Sequence, residues 1–234
     1  MSTIAAPTAG TVKRASGLAT GSLLIAQFVL MWTAFSVLSS AINWPASLDD
    51  PASIALPRLL DNEAVVMFGY GCYLMTALLM VPATAAFNAR FGLTGAYAAT
   101  TLTLGTVCAV AKMIGITRWL FVMPSLARAF VAPDADQATI SLIFNVLNDY
   151  AGGIGEAIGV GLVGGVWTIL IGLAVVRSGS RFVGWFAVVM GVTLLATLPA
   201  VFGVELGPIL TISNVGWQFA LFAIAIVALR GSRT

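Results

Sequence analysis

Asn145, Asp149, Gly152 and Glu156 recur along one stretch of the chain at intervals of four, three and four positions. On a continuous α-helix these intervals place the residues on one face, so the pattern predicts a polar stripe that ends in a carboxylate. Tyr150 adds a phenolic hydroxyl next to Asp149. Such a stripe could pair with basic side chains, hold the polar head of a ligand or exchange a proton.

Basic side chains that could face this stripe lie upstream of it. Lys112 and Arg118 come at the end of a long apolar run, and Arg128 follows in the segment RWLFVMPSLARAFVAP. That segment is too short to cross a membrane between its arginines and is interrupted by Pro124, so it predicts an interfacial or re-entrant helix. The candidate ligand-binding residues are Lys112, Arg118, Arg128, Asn145, Asp149, Tyr150 and Glu156.

Two interpretations of this cluster remain open at the level of the sequence. Cations, carboxylates and a tyrosine beside apolar helices favour an amphipathic ligand, such as a lipid headgroup, a quinone or a fatty-acid-like anion. Alternatively, Lys112 and Glu156 pair only to hold two helices together, or both extend towards the lipid headgroups. Trp119 and Phe121 are expected at the membrane boundary, where aromatic rings are enriched.

The elements that position these residues follow from the composition. Hydrophobic residues make up 59% of the chain and charged residues 9%, whereas about a quarter of the residues of a soluble domain are charged. A bilayer core of roughly 30 Å needs about 20 helical residues, and the barrel-type alternation of apolar and polar residues is absent. The fold class is therefore all-α, a polytopic membrane bundle of six transmembrane helices with an amphipathic segment between spans three and four. The uncharged runs are Ala15 to Leu48, Ala64 to Ala89, Phe91 to Ala111, Ala157 to Val176, Phe182 to Val204 and Leu206 to Leu229.

The charges at the ends of these runs predict the orientation of the chain. Cytoplasmic flanks of membrane spans are rich in Lys and Arg, which predicts that both termini are cytoplasmic. The basic flanks are Lys13, Arg14, Arg90, Arg177, Arg181, Arg230 and Arg233. The acids fall on the opposite side: Asp49, Asp50, Asp61, Glu63, Asp134, Asp136, Asp149, Glu156 and Glu205.

A single domain is expected between two short tails. The first apolar run is longer than the roughly 7 to 15 residues of a secretory signal, so it is expected to remain as a membrane anchor. We expect a cytoplasmic tail over residues 1–16, one six-helix transmembrane domain over 17–230, and a second cytoplasmic tail over 231–234.

Glycines in the fourth apolar run predict close helix packing. Gly155 with Gly159, and Gly161 with Gly165, are each four residues apart, a spacing that lets helix backbones approach in lipid. The stretch from Gly159 to Gly164 also matches the dinucleotide pattern G-x-G-x-x-G, but no strand precedes it and no acid follows at the required distance. We therefore expect span four to lie at the centre of the bundle.

Residue counts exclude several kinds of chemistry. The chain contains no histidine and two cysteines, which rules out histidine haem ligation, a histidine general base, and a cysteine-ligated cluster within this chain. No metal site and no catalytic residue is predicted, and the sequence specifies no cofactor. No basic run with interleaved aromatic residues supports a nucleic-acid partner.

The predicted function is noncatalytic. A polar pocket on the extracytoplasmic side would bind a lipid-like or small amphipathic ligand, or the protein would act as an accessory subunit of a membrane complex. The expected partners are membrane lipids, together with further copies of the chain or a larger membrane complex.

Two other classes of function remain as alternatives. One is a small-solute or proton-coupled transporter that acts as an oligomer, because NARFGLTGAYAATTLTLG and GSRFVGWFAVVMGVTLLA suggest that spans two and three repeat as four and five. The other is an intramembrane enzyme, with Glu156 or Asp149 as acid/base and Arg118 stabilising an anion.

Several short motifs carry a family resemblance. RWLFVMP from Arg118, YAG from Tyr150 with the following GE pair, the WT pair at Trp167, RSG from Arg177 and the GW pair at Gly184 resemble an uncharacterised bacterial family of multi-span integral membrane proteins, a domain of unknown function. The likeness is best over spans two to five. It implies an inner (plasma) membrane location and a single helical domain, and it implies no reaction.

Overall fold

All the regular secondary structure is helical in the part of the chain that the structure, a computed structural model, describes, namely residues 9–204 and 206–230. Residues 1–8 and 231–234, which include most of the expected tails, and Glu205 lie outside the described residues. The helices are α1 (Ala9–Ile42), α2 (Ala52–Asp61), α3 (Glu63–Arg90), α4 (Gly95–Thr117), α5 (Met123–Phe130), α6 (Gln137–Gly152), α7 (Gly165–Arg177), α8 (Arg181–Leu195) and α9 (Pro208–Arg230).

Short segments with other helical hydrogen bonding join some of these helices. Two are π-helical, Arg118–Val122 between α4 and α5 and Gly153–Gly164 between α6 and α7. Two are 3₁₀ turns, Ala46–Asp49 after α1 and Leu198–Phe202 after α8. α1 begins at Ala9, so residues 9–16 of the expected N-terminal tail are helical.

Within the described residues, six helical stretches are long and apolar enough to cross a membrane, which confirms the predicted fold class. We call them spans one to six. Spans three and four each run through a π-helical segment, and so they are longer than single helices. Their bounds are Lys13–Ile42, Glu63–Arg90, Gly95–Phe130, Gln137–Arg177, Arg181–Phe202 and Pro208–Arg230.

The spans form a ring in chain order. Each span packs against the one before it and the one after it, and α9 closes the ring by packing on α1. Phe28 of α1 contacts Phe219 and Phe222 of α9, with ring centroids 5.5 and 4.7 Å apart. A closed ring of six helices leaves an interior that the residues of all spans can share.

The acidic side chains of the described residues lie at one end of the ring, whereas basic side chains lie at both. At one end, the Nε of Arg90 donates a hydrogen bond to the carbonyl oxygen of Ala228 at 3.2 Å, and Gly17 of α1 lies against both residues. At the opposite end, Arg58 pairs with Asp50 and Arg128 pairs with Glu63, each at 2.6 Å. We call these the basic end and the acidic end. The first and last helices therefore start and finish at the basic end.

The acidic end is covered by two short helices that pack on one another, α2 and α5. α2 buries Leu56 and Leu59, and α5 buries Met123 and Phe130. Each helix thus has one apolar face turned towards the bundle. The sequence predicted an interfacial or re-entrant segment from Arg118. In the structure this segment continues span three as helix and ends in α5. The sequence interpretation had no counterpart of α2.

Candidate functional site

An internal cavity of about 470 Å³ lies in the acidic half of the ring. Small-molecule sites usually measure about 300–1,000 Å³. All six spans contribute to its wall, and so does the turn that follows α1. The aromatic and cationic side chains in this wall are Trp32, Phe35, Trp44, Tyr70, Tyr73, Trp119, Trp217, Lys112 and Arg118.

Close backbone contact between spans three and four builds one side of the cavity. A Cβ atom on Gly155 would lie only 2.9 Å from the Cα of Gly115, so the two helices touch without side chains between them. The π-helical segment Gly153–Gly164 begins at this contact. π-Helical turns are rare and occur frequently at functional sites. The contact brings Glu156 of span four beside Arg118 of span three.

Arg118 and Glu156 form a loose ion pair in the wall. The Nη2 of Arg118 lies 3.6 Å from the Oε1 of Glu156. The Arg118 side chain is buried, 5% exposed, while 61% of the Glu156 side chain is exposed. The guanidinium lies against Gly152, where a Cβ would approach Nη1 and Nη2 to 3.1 Å. The carboxylate is thus accessible in the cavity, and the cation that faces it is held in the protein.

Lys112 forms the deeper charged group of the cavity. Its side chain is buried, and its Nζ donates a long hydrogen bond of 3.4 Å to Thr76 Oγ1. The ammonium also lies 5.4 Å from the ring centroid of Tyr73 and 5.3 Å from that of Trp217, distances at which a cation is attracted to an aromatic face. Among the described residues, no carboxylate oxygen lies within 4.0 Å of this ammonium.

Hydrogen-bond donors without partners are concentrated in the same wall. Tyr70 and Trp119 stack with ring centroids 5.3 Å apart and planes 4° from parallel. The Tyr70 hydroxyl and the Trp119 Nε1 are both buried without a partner in the described structure, as are Nε of Arg118 and Nε1 of Trp32. All four side chains line the cavity. Buried donors are nearly always paired in proteins, so four unpaired donors around one cavity are unusual, although the atoms themselves are shielded from its open space.

Exposed residues at the acidic end form the rim of the cavity. Pro45, Ala46 and Asp49 contribute from the turn after α1, and Leu210 and Asn214 contribute from the start of α9. Lys112 lies six positions from Arg118 towards the basic end, about 9 Å along the helix at 1.5 Å per residue, and we call the part of the cavity around Lys112 its floor. The cavity is thus open at the acidic end and cationic at its floor.

The structure brings together only part of the predicted site. Lys112, Arg118 and Glu156 line the cavity, whereas Arg128 does not and instead pairs with Glu63 at 2.6 Å on the surface. The opposite charges that approach each other are Arg118 and Glu156, and Lys112 makes no ion pair with Glu156.

Asn145, Asp149 and Tyr150 are exposed and lie outside the cavity wall. The physical reason is the rotation of α6. This helix packs through a neighbouring face on which Phe144 and Ala151 are buried. Successive residues of an α-helix are rotated by about 100°, given 3.6 residues per turn. The polar stripe therefore points away from the bundle along most of α6, and it first meets the bundle at Gly152, which lies against Arg118.

The glycines of span four approach different neighbours. A Cβ on Gly159 would meet the Cβ of Ala111 at 3.0 Å, and one on Gly165 would meet the carbonyl oxygen of Gly191 at 2.9 Å. Gly161 faces Leu198 and Thr197, each at 3.2 Å from such a Cβ. Span four therefore packs closely on span three and on span five.

Several residues of the cavity were missed by the sequence interpretation. Tyr70 and Tyr73 lie three positions apart in an otherwise apolar span, which was the available signal for a polar face. Trp119 was placed at the membrane boundary but is 3% exposed, while its neighbour Phe121 is 70% exposed. Asp49 follows a turn that contains a proline. Its position in the sequence relative to the other cavity residues gave no indication that it reaches the cavity.

Metal binding finds no support in the part of the chain described here. No group of three or more aspartate, glutamate, cysteine or histidine side chains comes close enough to hold an ion. Cys72 and Cys108 are both free thiols.

The ring of six apolar helices defines a multi-pass membrane protein. The chain belongs to the family described as Domain of unknown function (DUF4386), whose profile matches residues 19–230. This match confirms the resemblance seen in the sequence. No curated protein and no solved structure matches the chain.

Proposed function

We propose that this protein binds an amphipathic small molecule in the cavity at the acidic end of the ring. The observation that carries the proposal is the combination of a cavity of about 470 Å³ with four buried donors in its wall that have no partner within the described chain. Leaving such a donor unsatisfied costs about 1–3 kcal/mol. These atoms are shielded in the empty cavity, so a ligand with acceptor atoms would remove that cost once the side chains rotate towards it.

The wall also supports an apolar part for this ligand. Trp32, Phe35 and Trp44 line one side of the cavity, and aromatic walls with a few placed polar groups are typical of small-molecule sites. Arg118 and Glu156 line the cavity from spans three and four. A ligand that fills this space therefore needs both an apolar and a polar portion, and membrane lipids are the nearest source of such molecules.

The experiment is mass spectrometry of small molecules that copurify with the protein after gentle extraction from its own membrane. Asn214→Trp tests the cavity directly, because Asn214 lines it and its amide bonds only the carbonyl oxygen of Leu210 within its own helix. Ile212→Trp is the matched control, since Ile212 lies on the same helix, is 57% exposed and is absent from the wall.

We expect an amphipathic molecule at a fixed stoichiometry with the wild type and with Ile212→Trp, and its loss from Asn214→Trp. If the wild type carries no such molecule, or if the blocked variant retains it, the cavity is not a binding site. A stable assembly with another membrane protein and no small molecule would instead support an accessory subunit.

We further propose that both termini face the cytoplasm of a bacterial inner membrane. The support is the segregation of charge, since Arg90, Arg177 and Arg230 lie at the end where the first and last helices start and finish. Basic residues favour cytoplasmic flanks. The cavity would then open on the extracytoplasmic side.

A further inference from the structure

We infer that the ligand is a single-chain amphiphile with an anionic head, a carboxylate or a phosphate monoester, bound with its head at Lys112 and its chain towards the rim. This inference rests on the proposed binding function and specifies the chemical class of its ligand. The distribution of charge, donors and aromatic rings along the cavity carries it.

The floor of the cavity contains a cation that the described residues do not neutralise. Lys112 is 5% exposed, and its ammonium lies against a hydroxyl and two aromatic rings at the distances given above. A buried charge without an opposite charge is costly in a membrane. An anion at the floor would supply that charge.

The carboxylates near the cavity do not play this role. Glu156 is directed to Arg118, and its side chain is 61% exposed. Asp49 lies at the rim and is exposed. Glu156 is thus paired with Arg118 and Asp49 is exposed at the rim, so neither carboxylate neutralises Lys112, and the part of the cavity around Lys112 attracts a negative head.

The buried hydrogen-bond donors without partners also favour a ligand that carries acceptor atoms. Nε of Arg118 and Nε1 of Trp119 and Trp32 can only donate hydrogen bonds, and the Tyr70 hydroxyl can donate one. Arg118 and the stacked Tyr70 and Trp119 lie about 9 Å along span three from Lys112 at 1.5 Å per residue, so these donors favour acceptor atoms elsewhere in the ligand and do not contact a head bound at Lys112. An ammonium head would find no acceptor among these four atoms other than the Tyr70 oxygen.

The test uses the full chain in nanodiscs of phosphatidylcholine with a tetradecanoate probe that carries a photoreactive diazirine on its chain. Four unlabelled competitors share the same alkyl chain, namely tetradecanoate, tetradecyl phosphate, tetradecanol and tetradecyltrimethylammonium. Labelled peptides are identified by mass spectrometry. The Asn214→Trp protein defines the background labelling.

We expect the two anions to displace the probe at concentrations at least about tenfold lower than the alcohol or the ammonium, because a desolvated charge pair contributes more than 1.4 kcal/mol. Lys112→Met should weaken the anions about thirtyfold or more and leave the alcohol unchanged, and Lys112→Arg should restore part of the difference. Arg128→Met, which removes a surface cation outside the wall, should change nothing.

The possible failures are distinguishable. Equal displacement by all four competitors in the wild type would overturn the anionic class while leaving a binding cavity, and this arm needs no variant to fold. Labelling of Asn214→Trp at the wild-type level, or no displacement by any competitor, would overturn the proposed function as well. A preference for phosphate over carboxylate, or the reverse, supports the inference and identifies the head.

Discussion

Arg118 and Glu156 meet across the contact between spans three and four, with Nη2 and Oε1 3.6 Å apart. The pair joins a buried guanidinium to a carboxylate that the cavity leaves accessible. It therefore serves both the packing of two helices and the polarity of the proposed site.

Removing the carboxylate from this pair should destabilise the protein. In Glu156→Gln the buried Arg118 cation loses its nearest opposite charge, and because the carboxylate is 61% exposed we expect a loss of up to about 1 kcal/mol in the free energy of unfolding. Thermal unfolding in nanodiscs measures the effect. Asp149→Asn is the matched control, since Asp149 lies on the same span but is exposed and outside the wall. Equal midpoints for the two variants would show that the ion pair has no structural role.

The contact between Gly115 and Gly155 should not tolerate a side chain. A Cβ on Gly155 would lie 2.9 Å from the Cα of Gly115, so Gly155→Ala should separate the spans and cost about 1–3 kcal/mol by overpacking. Gly153→Ala provides the control two residues away, because nothing lies within 4 Å of a Cβ there. We expect this control to leave the unfolding midpoint unchanged or raise it. The reverse order would contradict the packing described for spans three and four.

The N-cap of α6 should make stability depend on pH at the acidic end. The Asp136 carboxylate accepts hydrogen bonds from the Thr139 hydroxyl at 2.7 Å and from the Thr139 backbone N–H at 3.1 Å. These bonds, the hydroxyl bond first, hold the pKa of Asp136 below its usual value. Because the folded-state pKa is the lower one, the contribution is present above the unfolded pKa of about 3.9 and is lost as the pH falls through the folded pKa.

Two substitutions at this position separate the cap from the charge. Asp136→Ala should lower the unfolding midpoint at neutral pH, whereas Asp136→Asn should lower it less because asparagine is also a good N-cap. On acidification, the difference between wild type and Asp136→Asn should shrink. Unfolding followed by circular dichroism across the acid range measures this, and a difference that is independent of pH would rule out the titration of Asp136.

The orientation can be tested with single cysteines. In a background with Cys72→Ala and Cys108→Ala, Asp134→Cys places a thiol at the acidic end and Ser178→Cys places one at the basic end, both at exposed positions. An impermeant maleimide should label Asp134→Cys in intact spheroplasts and Ser178→Cys only after lysis. The opposite result would place the termini and the cavity on the other sides.

The number and class of the helices could be predicted from the sequence because each span must satisfy its own backbone hydrogen bonds. Each span must also match the thickness of the bilayer by its own length. The run Phe182 to Val204, for example, is apolar over the required length whatever its neighbours are. The separation of Arg90 and Arg177 from the acidic residues could also be predicted, because it depends only on which end of each span a charge follows. For the same reason the four-residue spacing of Gly155 and Gly159 indicated a packing face before any partner was known.

The composition of the cavity was decided only by the tertiary structure. Periodicity placed Asn145, Asp149 and Glu156 on one side of a helix, but the rotation of that helix depends on where Phe144 and Ala151 find apolar neighbours, and this turned the first two residues outward. The stacking of Tyr70 on Trp119 likewise joins spans two and three. Hydrophobicity and length act within one helix, whereas the meeting of side chains depends on how six helices rotate and pack against each other.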